Sequence, residues 1–243
     1  MTTSGQIERG TIAYIPARLG SERVPRKNLR LLGGVPLVAH VARTACQSSL
    51  LDRVYVNTES PEIAAATAPT GVETYLRDPA LAASHVTTDE ILYDFALNLA
   101  CKTIVVINPT APFLKPDTID RVLTAYFSGP SDATLFTTTR LRKHLIIDGQ
   151  PGNFSVEGKS PRTQDLQPFD YINFIVFVIS RAKVITEYEQ NGCCLYASSL
   201  AFFPMQGLEC HDIDDEDDFL LAELLLRSRH DHPIEKHAGQ LAS

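Results

Sequence analysis

The sequence predicts an α/β protein with a doubly wound, mostly parallel sheet. Short apolar runs alternate along the chain with segments of helical periodicity, and this alternation is typical of right-handed crossovers between parallel strands. The run at residues 104–107 is apolar at every position, which suits a strand that helices cover on both faces. Ligands of such sheets bind beyond the carboxyl ends of the strands.

Six strands and six helices are predicted, in alternating order along most of the chain. Each strand is a short apolar run, and each helix is a segment with helical spacing of its apolar residues. The predicted strands cover residues 10–15, 53–58, 103–107, 132–138, 174–179 and 200–203. The predicted helices cover residues 36–48, 61–68, 88–100, 116–126, 181–190 and 215–229.

The length of 243 residues and mass of 26.8 kDa suit one large domain, predicted to span residues 10–232. Residues 1–9 and 233–243 are predicted to be flexible tails. Residues 141–171 lack clear periodicity and are rich in glycine, proline and charge. We expect that segment to leave the sheet as a small lid or dimerisation arm.

Composition excludes several classes of function. The net charge is −7 and no broad basic stripe is present, which argues against a nucleic-acid partner. No apolar run approaches the roughly 20 residues of a membrane span, and the polar N-terminus lacks a secretion signal. Five cysteines without a CxxC pair indicate reduced thiols. We therefore expect a cytoplasmic protein without a membrane partner.

The loop after the first strand carries the most information. The apolar run stops at Pro16, and a loop with Gly20, Ser21 and four cations follows (Arg18, Arg23, Arg26 and Lys27). Backbone N–H groups and fixed cations in such a loop can converge on the oxygens of a polyanion. The alternative is a solvated basic turn, because charged runs often only face water.

A second cluster lies before the last helix. Asp212 and Asp214 are two residues apart, so on an extended segment their carboxylates face the same side. Two hard oxygen donors suit Mg²⁺, which prefers one or two carboxylates together with substrate phosphates. The alternative is that the acidic residues 215–218 cap the helix and favour its dipole. Both can hold if Asp214 or Asp215 caps the helix.

Together the two clusters predict chemistry on a nucleoside triphosphate. The loop would bind the triphosphate, and the metal would neutralise charge at the α-phosphate and the leaving pyrophosphate. The loop is neither a Walker A sequence nor a GxGxxG turn, which argues against P-loop kinases and dinucleotide dehydrogenases.

The chain resembles the CMP-sialic acid synthetase family (acylneuraminate cytidylyltransferases), which has relatives that activate Kdo and other nonulosonic acids. The opening motif carries most of this resemblance: Ile15-Pro-Ala-Arg-x-Gly-Ser-x-x-x-Pro-x-Lys-Asn28, then Gly34-x-Pro-Leu37. Further matches follow in order: Val56-Asn-Thr-Glu59, Arg77-Asp-Pro-Ala-Leu-Ala82, Asn108-Pro-Thr-Ala-Pro112, Arg162-x-Gln-Asp-Leu166, Asn173 and Asp212-Ile-Asp214.

The resemblance implies a Mg²⁺-dependent transfer of CMP from CTP to a small acidic acceptor, by a homodimer. The acceptor it implies is a 2-keto-3-deoxy acid sugar of the sialic acid type. It assigns catalysis to Arg18, Lys27, Asp212 and Asp214, with the metal at the two aspartates. It assigns nucleotide binding to Ala17, Arg18, Gly20, Ser21, Arg23, Lys27, Asn28, Arg77 and Asn108, and acceptor binding to Arg162, Gln164 and Asn173. Simpler alternatives remain for some residues, such as an ion pair between Arg77 and Asp78.

One departure from the family pattern leaves the acceptor open. Phe174 stands where the sialic acid enzymes have glycine after Asn173, and a phenylalanine there should fill space near the acceptor. A small phosphonate is therefore an alternative acceptor. A non-catalytic nucleotide-binding homologue and a nucleotidyltransferase for another base are further alternatives, because a fold does not determine a function.

Overall fold

The computed structural model describes residues 10–21, 23–196 and 199–231. Its strands are β1 (Thr11–Pro16), β2 (Leu31–Leu32), β3 (Val35–Pro36), β4 (Arg53–Thr58), β5 (Glu73–Leu76), β6 (Thr103–Ile107), β7 (Thr134–Leu141), β8 (Ile146–Ile147), β9 (Gln150–Pro151), β10 (Phe169–Ser180) and β11 (Leu200–Met205). Its α-helices are α1 (Leu37–Cys46), α2 (Pro61–Thr67), α3 (Thr88–Asn98), α4 (Pro116–Ser128), α5 (Arg181–Asn191) and α6 (Glu216–Asp231). The predicted tails, residues 1–9 and 233–243, lie outside the described residues.

Seven strands form the central sheet in the order β11-β7-β10-β6-β1-β4-β5. All pairings are parallel except those of β10, which runs antiparallel to both β6 and β7. The mostly parallel sheet predicted from the sequence is thus confirmed. The chain passes from β1 outward to β4 and β5 and returns to β6 on the other side of β1. The crevice between the ends of β1 and β6 is therefore a topological switch point, where such sheets bind ligands.

Helices cover both faces of the sheet. Alternate residues of β1, such as Ala13 and Ile15, pack with α1, α2 and α4, whereas Ile12 and Tyr14 pack with α3 and α5. Burial on both faces explains the continuous apolar runs of these strands. A third cluster packs Phe219 of α6 with Leu32 of β2 and Leu37 of α1. Within the described ranges, no helix is long and apolar enough to cross a membrane.

The sequence missed several short elements, and its largest boundary error lies at the start of β10. It did not predict β5, the β2–β3 hairpin or the β8–β9 hairpin, each of which is too short for a clear periodic pattern. The segment 141–171 does leave the sheet, but its ends belong to β7 and β10. The prediction that β10 begins at Phe174 was wrong, because its register shifts between Ile172 and Phe177 and interrupts the apolar run.

Candidate active site

Three segments that follow or precede elements of the sheet line one pocket. The loop after β1, the residues after β6 and the segment before α6 enclose about 210 Å³. The lining residues are Pro16, Arg18, Ser21, Arg23, Val24, Lys27, Asn28, Pro109, Thr110 and Asp214. We call this space the phosphate pocket. It lies at the switch point of the sheet. The sheet topology and the loop cations therefore indicate the same position for a bound ligand.

The loop between β1 and β2 is anchored at both ends. The Ala17 N–H donates to the Asn57 carbonyl at 2.9 Å, and Ala17 itself is buried in the core rather than in the pocket. The Asn28 amide donates to the Arg18 carbonyl at 2.9 Å, which closes the loop on itself. Gly20 leaves open space, because a Cβ atom there would meet no atom within 4 Å. Fixed anchors with an open tip suit a loop that receives a ligand.

Lys27 connects the loop to the acidic segment. Its ammonium donates to the Ile213 carbonyl at 2.6 Å and lies 3.8 Å from Asp214 Oδ1. Burial lowers the pKa of Lys27, although the carboxylates of Asp214 and Asp212 favour its charged form. Arg23 approaches the same Asp214 oxygen at 2.7 Å. Cations and carboxylates therefore face each other across the pocket.

Asp212 is held by neutral donors from the β6 end. The Thr110 hydroxyl hydrogen-bonds to Asp212 Oδ1, and the Asn108 amide donates to Oδ2 at 3.3 Å. Burial raises the pKa of Asp212, and the nearby Asp214 charge raises it further. Two carboxylates that repel each other in a partly buried site favour a cation between them.

The start of α6 separates capping from pocket residues. Asp215 accepts the Asp218 N–H at 3.0 Å, and Asp218 accepts the N–H groups of Asp214 and Asp215 at 2.9 and 3.1 Å. The carboxylates of residues 215 and 218 thus cap the helix. Asp214 lines the phosphate pocket, and Asp212 contacts Thr110 of its wall. The capping interpretation is confirmed for Asp215 and Asp218, and metal binding by Asp212 and Asp214 stays a prediction.

The carboxylates of Asp212 and Asp214 fit a Mg²⁺ ion that also binds phosphates. Among the described residues, no group of three or more His, Cys, Asp or Glu side chains could hold a metal alone. Mg²⁺ usually takes one or two carboxylates and completes its octahedral shell with phosphate and water oxygens. Asp212 and Asp214 match that requirement, and the cations of the loop add sites for the remaining phosphate charge.

A second pocket adjoins the first through Pro16 and Arg18. It measures about 270 Å³ and is lined by Pro16, Arg18, Arg77, Leu81, Ala83, Ser84, Val86, Thr88 and Ile91. We call it the nucleoside pocket, because its partly apolar wall suits a base and ribose. Arg77 does not pair with Asp78, which instead accepts the Ala80 N–H at 2.8 Å. The simpler alternative for Arg77 was therefore wrong.

Two contributors to the site were missed from the sequence. Thr110 holds Asp212, and Glu59 accepts hydrogen bonds from Leu19 N–H and from Arg77, both at 2.7 Å. Both residues lie in motifs that resemble the family. Their position directly after β6 and β4 was the signal that could have identified them, because residues at these strand ends face the crevice.

The structure does not bring the predicted acceptor residues into either pocket. Arg162 is largely exposed and pairs with its neighbour Asp165 at 2.7 Å, and Gln164 is exposed, with its carbonyl accepting a hydrogen bond from Arg142. Neither side chain lines the two pockets described above. Their assignment to acceptor binding stays a prediction.

Asn173 supports the bulge in β10. Its side-chain oxygen accepts the Thr137 hydroxyl at 2.6 Å and the Ile175 N–H at 3.1 Å, and its amide donates to the Thr139 hydroxyl oxygen at 3.1 Å. Phe174 follows in the left-handed region, with φ of 54°. This backbone explains why glycine is suited to the position. The Phe174 ring packs against other aromatic rings of the same face, those of Phe136, Phe177 and Tyr196.

Comparison with known proteins shows to which family the chain belongs. A family model described as "Cytidylyltransferase" matches residues 12–151, more than half of the chain and all of the phosphate-pocket loop. The chain belongs to the cytidylyltransferase family. It is a nucleotidyltransferase, as the loop and the acidic pair predict.

Curated relatives agree with this class. The chain is 38% identical over 232 residues to CMP-N,N'-diacetyllegionaminic acid synthase of Legionella pneumophila, which covers 88% of this chain and 95% of that protein. It is 27% identical over 218 residues to N-acylneuraminate cytidylyltransferase of Streptococcus agalactiae, covering 86% of this chain and 51% of that protein. The chain thus spans about half the length of this second relative.

Solved structures show the same fold. CMP-2-keto-3-deoxy-manno-octonic acid synthetase in complex with CTP superposes with a TM-score of 0.70 at 16% identity, covering 91% of this chain and 100% of that one. The 4-diphosphocytidyl-2C-methyl-D-erythritol synthase of Anaerococcus prevotii superposes with a TM-score of 0.65 at 11% identity, covering 91% of this chain and 100% of that one. At these identities the likeness concerns the fold alone.

Proposed function

We propose that this cytidylyltransferase transfers CMP from CTP to a 2-keto-3-deoxy acid sugar of the nonulosonic type and releases pyrophosphate. The observation that carries the proposal is the meeting of Lys27 and Arg23 with Asp214 across the phosphate pocket. The relative named for a diacetyllegionaminic acid, which shares 38% identity, supports the class of acceptor. The relatives described above give no such support to a phosphonate acceptor.

In this mechanism the chain binds and orients its substrates and provides no nucleophile. The cytidine occupies the nucleoside pocket beside Arg77, and the triphosphate lies along the loop with Arg18 and Lys27 against its oxygens. An acceptor hydroxyl oxygen attacks the α-phosphorus in line and loses its proton to water. The new P–O bond forms as the bond to pyrophosphate breaks, and the protein cations stabilise the charge that moves onto the leaving group.

Mg²⁺ is the cofactor we propose, with Asp212 and Asp214 as its protein ligands. When bound, it supplies positive charge against the α-phosphate and the departing pyrophosphate. Thr110 and Asn108 hold the Asp212 carboxylate, which orients a ligand and keeps it from turning away from the pocket.

Pyrophosphate release tests the proposed function directly. The purified chain is mixed with Mg²⁺, one of CTP, UTP, ATP or GTP, and either a nonulosonic acid or a small phosphonate. We expect release with CTP and the sugar acid, and a loss of about 100-fold or more in Asp214→Ala. Asp217→Ala is the matched control, because Asp217 is exposed in the first turn of α6. Release only with a phosphonate, or with none of the nucleotides, would contradict the proposal.

We further propose a cytoplasmic homodimer assembled through the segment 141–171. This segment exposes large apolar side chains, with Ile146 at 56%, Ile147 at 55% and Val156 at 78% exposure. Exposed apolar side chains of this kind suit a protein interface. Light scattering tests the assembly: the chain should have the mass of a dimer, and the double substitution Ile146→Asp and Ile147→Asp should yield monomers.

A further inference from the structure

One carboxylate connects the ends of three neighbouring strands. Glu59 follows β4, the central strand of the group β1-β4-β5. Its Oε1 accepts the N–H of Leu19, in the loop after β1, at 2.7 Å. Its Oε2 accepts Nη2 of Arg77, just after β5, also at 2.7 Å. The Glu59 side chain is 13% exposed, so both hydrogen bonds are shielded from water and are stronger than at the surface.

Arg77 depends on this carboxylate. Its side chain is 1% exposed, and a guanidinium at that depth needs a compensating charge. The Asn57 side-chain oxygen accepts a second hydrogen bond at 2.9 Å, but it is neutral. The Arg77 Nε atom is buried with no hydrogen-bond partner among the described residues. Glu59 thus supplies the negative charge and sets the direction of the guanidinium.

The two contacts of Glu59 connect the loop of the phosphate pocket to the wall of the nucleoside pocket. Leu19 follows Arg18, which lines both pockets, whereas Arg77 lines only the nucleoside pocket. We propose that Glu59 is a positioning residue that sets the distance between the two pockets, so that one nucleotide fits both. This inference rests on the proposed function, in which CTP spans them. Preorganisation of this kind raises affinity because the ligand does not have to order the site.

The substitution Glu59→Gln tests the role with little change of shape. Glutamine keeps one acceptor oxygen and replaces the other with an NH₂ donor. It can therefore accept from Leu19 or from Arg77 but not from both, and its amide repels the second donor. The charge that compensates Arg77 is lost as well. Both pockets should therefore lose their fixed geometry.

Two partial ligands separate the pockets: CMP for the nucleoside pocket, and inorganic tripolyphosphate for the phosphate pocket. Their dissociation constants are measured by calorimetry with Mg²⁺, and the KM for CTP is measured by pyrophosphate release. In Glu59→Gln we expect both dissociation constants and the KM to rise by about tenfold or more, the size of one charged hydrogen bond. Glu73→Gln is the matched control, because Glu73 pairs with Arg53 at the far end of β5 and should leave all three values unchanged.

The pattern of results distinguishes positioning from simple support of the fold. A purely structural role would lower the melting temperature and leave the KM and both dissociation constants of the folded fraction unchanged, which would overturn the proposal. A weakening of only one partial ligand would also overturn it. If Glu59→Gln does not fold, Glu59→Asp takes its place. Aspartate keeps the charge, but its side chain is too short to reach both Leu19 and Arg77. An unchanged KM for CTP in Glu59→Asp would therefore overturn the proposal.

Failure of this inference is separable from failure of the proposed function. If the wild-type chain releases pyrophosphate from CTP and Glu59→Gln does so with the same KM, only the positioning role fails. If the wild type binds both partial ligands but never turns over CTP, the proposed reaction fails while the joint effect of Glu59 on the two ligands can still be measured. If the wild type binds neither ligand, both proposals fail.

Discussion

The two sides of the crevice differ in how they are held together. The nucleotide side, formed by the ends of β1, β4, β5 and β6, contains buried charges such as Arg77 and hydrogen bonds between residues more than 100 positions apart. The side predicted to bind the acceptor, which we call the acceptor side, is formed by β10 and the segment 141–171 and has exposed charges that pair locally, such as Arg162 with Asp165. A polar network with long-range hydrogen bonds surrounds the bulge at Asn173.

This contrast indicates that the nucleotide side is held more rigidly than the acceptor side. Buried charges and long-range hydrogen bonds restrict motion, because breaking them leaves unsatisfied groups. Exposed ion pairs contribute little to stability and rearrange easily. The proposed dimer partner and the bound acceptor are the additions that would complete the acceptor side.

Removal of Lys27 should have the largest effect. We expect Lys27→Ala to lower the rate of pyrophosphate release by about 100-fold or more, because a fixed cation beside the leaving group is lost. Lys102→Ala is the control, since Lys102 is exposed at the opposite end of β6. Comparable rates for Lys27→Ala and the wild type would show that the nucleotide side does not depend on this contact between loop and acidic segment.

On the acceptor side, Asn173→Ala should act through stability. The substitution leaves the Ile175 N–H and the Thr139 hydroxyl without their partner, at a cost of about 1–3 kcal/mol in the free energy of unfolding. Urea denaturation measures this, with the exposed Asn191→Ala as control. A stable Asn173→Ala protein with a raised KM for the acceptor would instead place Asn173 among the binding residues.

In contrast to Asn173→Ala, Arg162→Ala should act through acceptor binding and have little effect on stability. If it binds the acceptor as predicted, Arg162→Ala should raise the KM for the sugar acid about tenfold and leave the KM for CTP unchanged. Its surface pair with Asp165 predicts a loss of stability below about 1 kcal/mol. Steady-state kinetics with each substrate varied in turn separates the two values. An equal rise in the KM for the sugar acid and the KM for CTP would mean that the acceptor side and the nucleotide side are not independent.

The backbone at Phe174 can be tested with two substitutions. Both Phe174→Ala and Phe174→Gly remove the ring from its aromatic neighbours, but only glycine accepts the positive φ of 54° without strain. We expect the glycine variant to be more stable than the alanine variant by about 0.5–1 kcal/mol in urea denaturation. The opposite order would mean that the bulge relaxes once the ring is gone.

We expect the smallest loss of stability from breaking the pair of Arg53 and Glu73. This loss provides a baseline for exposed ion pairs. We expect Glu73→Gln to cost less than about 1 kcal/mol at neutral pH. The hydrogen bond from Arg53 holds the pKa of Glu73 below its ordinary 4.5, so the contribution is present above that pH and is lost as pH falls through the lowered pKa. The difference in melting temperature should therefore shrink between about pH 7 and pH 3. A difference in melting temperature that does not change with pH would mean that Glu73 stabilises the fold through packing and not through its charge.

Much of the nucleotide side could be predicted, because its residues lie in short segments directly after strands. The Arg18–Asn28 loop and the pair Asp212 and Asp214 were identified from charge density and spacing. Glu59 and Thr110 were not given roles, since a single polar residue at a strand end is common and its partners are distant in sequence. Arg162 and Gln164 were proposed only by resemblance, and the structure leaves them at the surface.

The sequence by itself determined the order of strands and helices, the cationic loop and the acidic pair, because periodicity and local charge depend on neighbouring residues. Only the tertiary structure decided which strand ends meet, that β10 runs antiparallel with a bulge at Asn173, and that Glu59 connects the loop to Arg77. Those facts depend on strand pairing between distant segments, and a pairing partner leaves no local pattern in the chain.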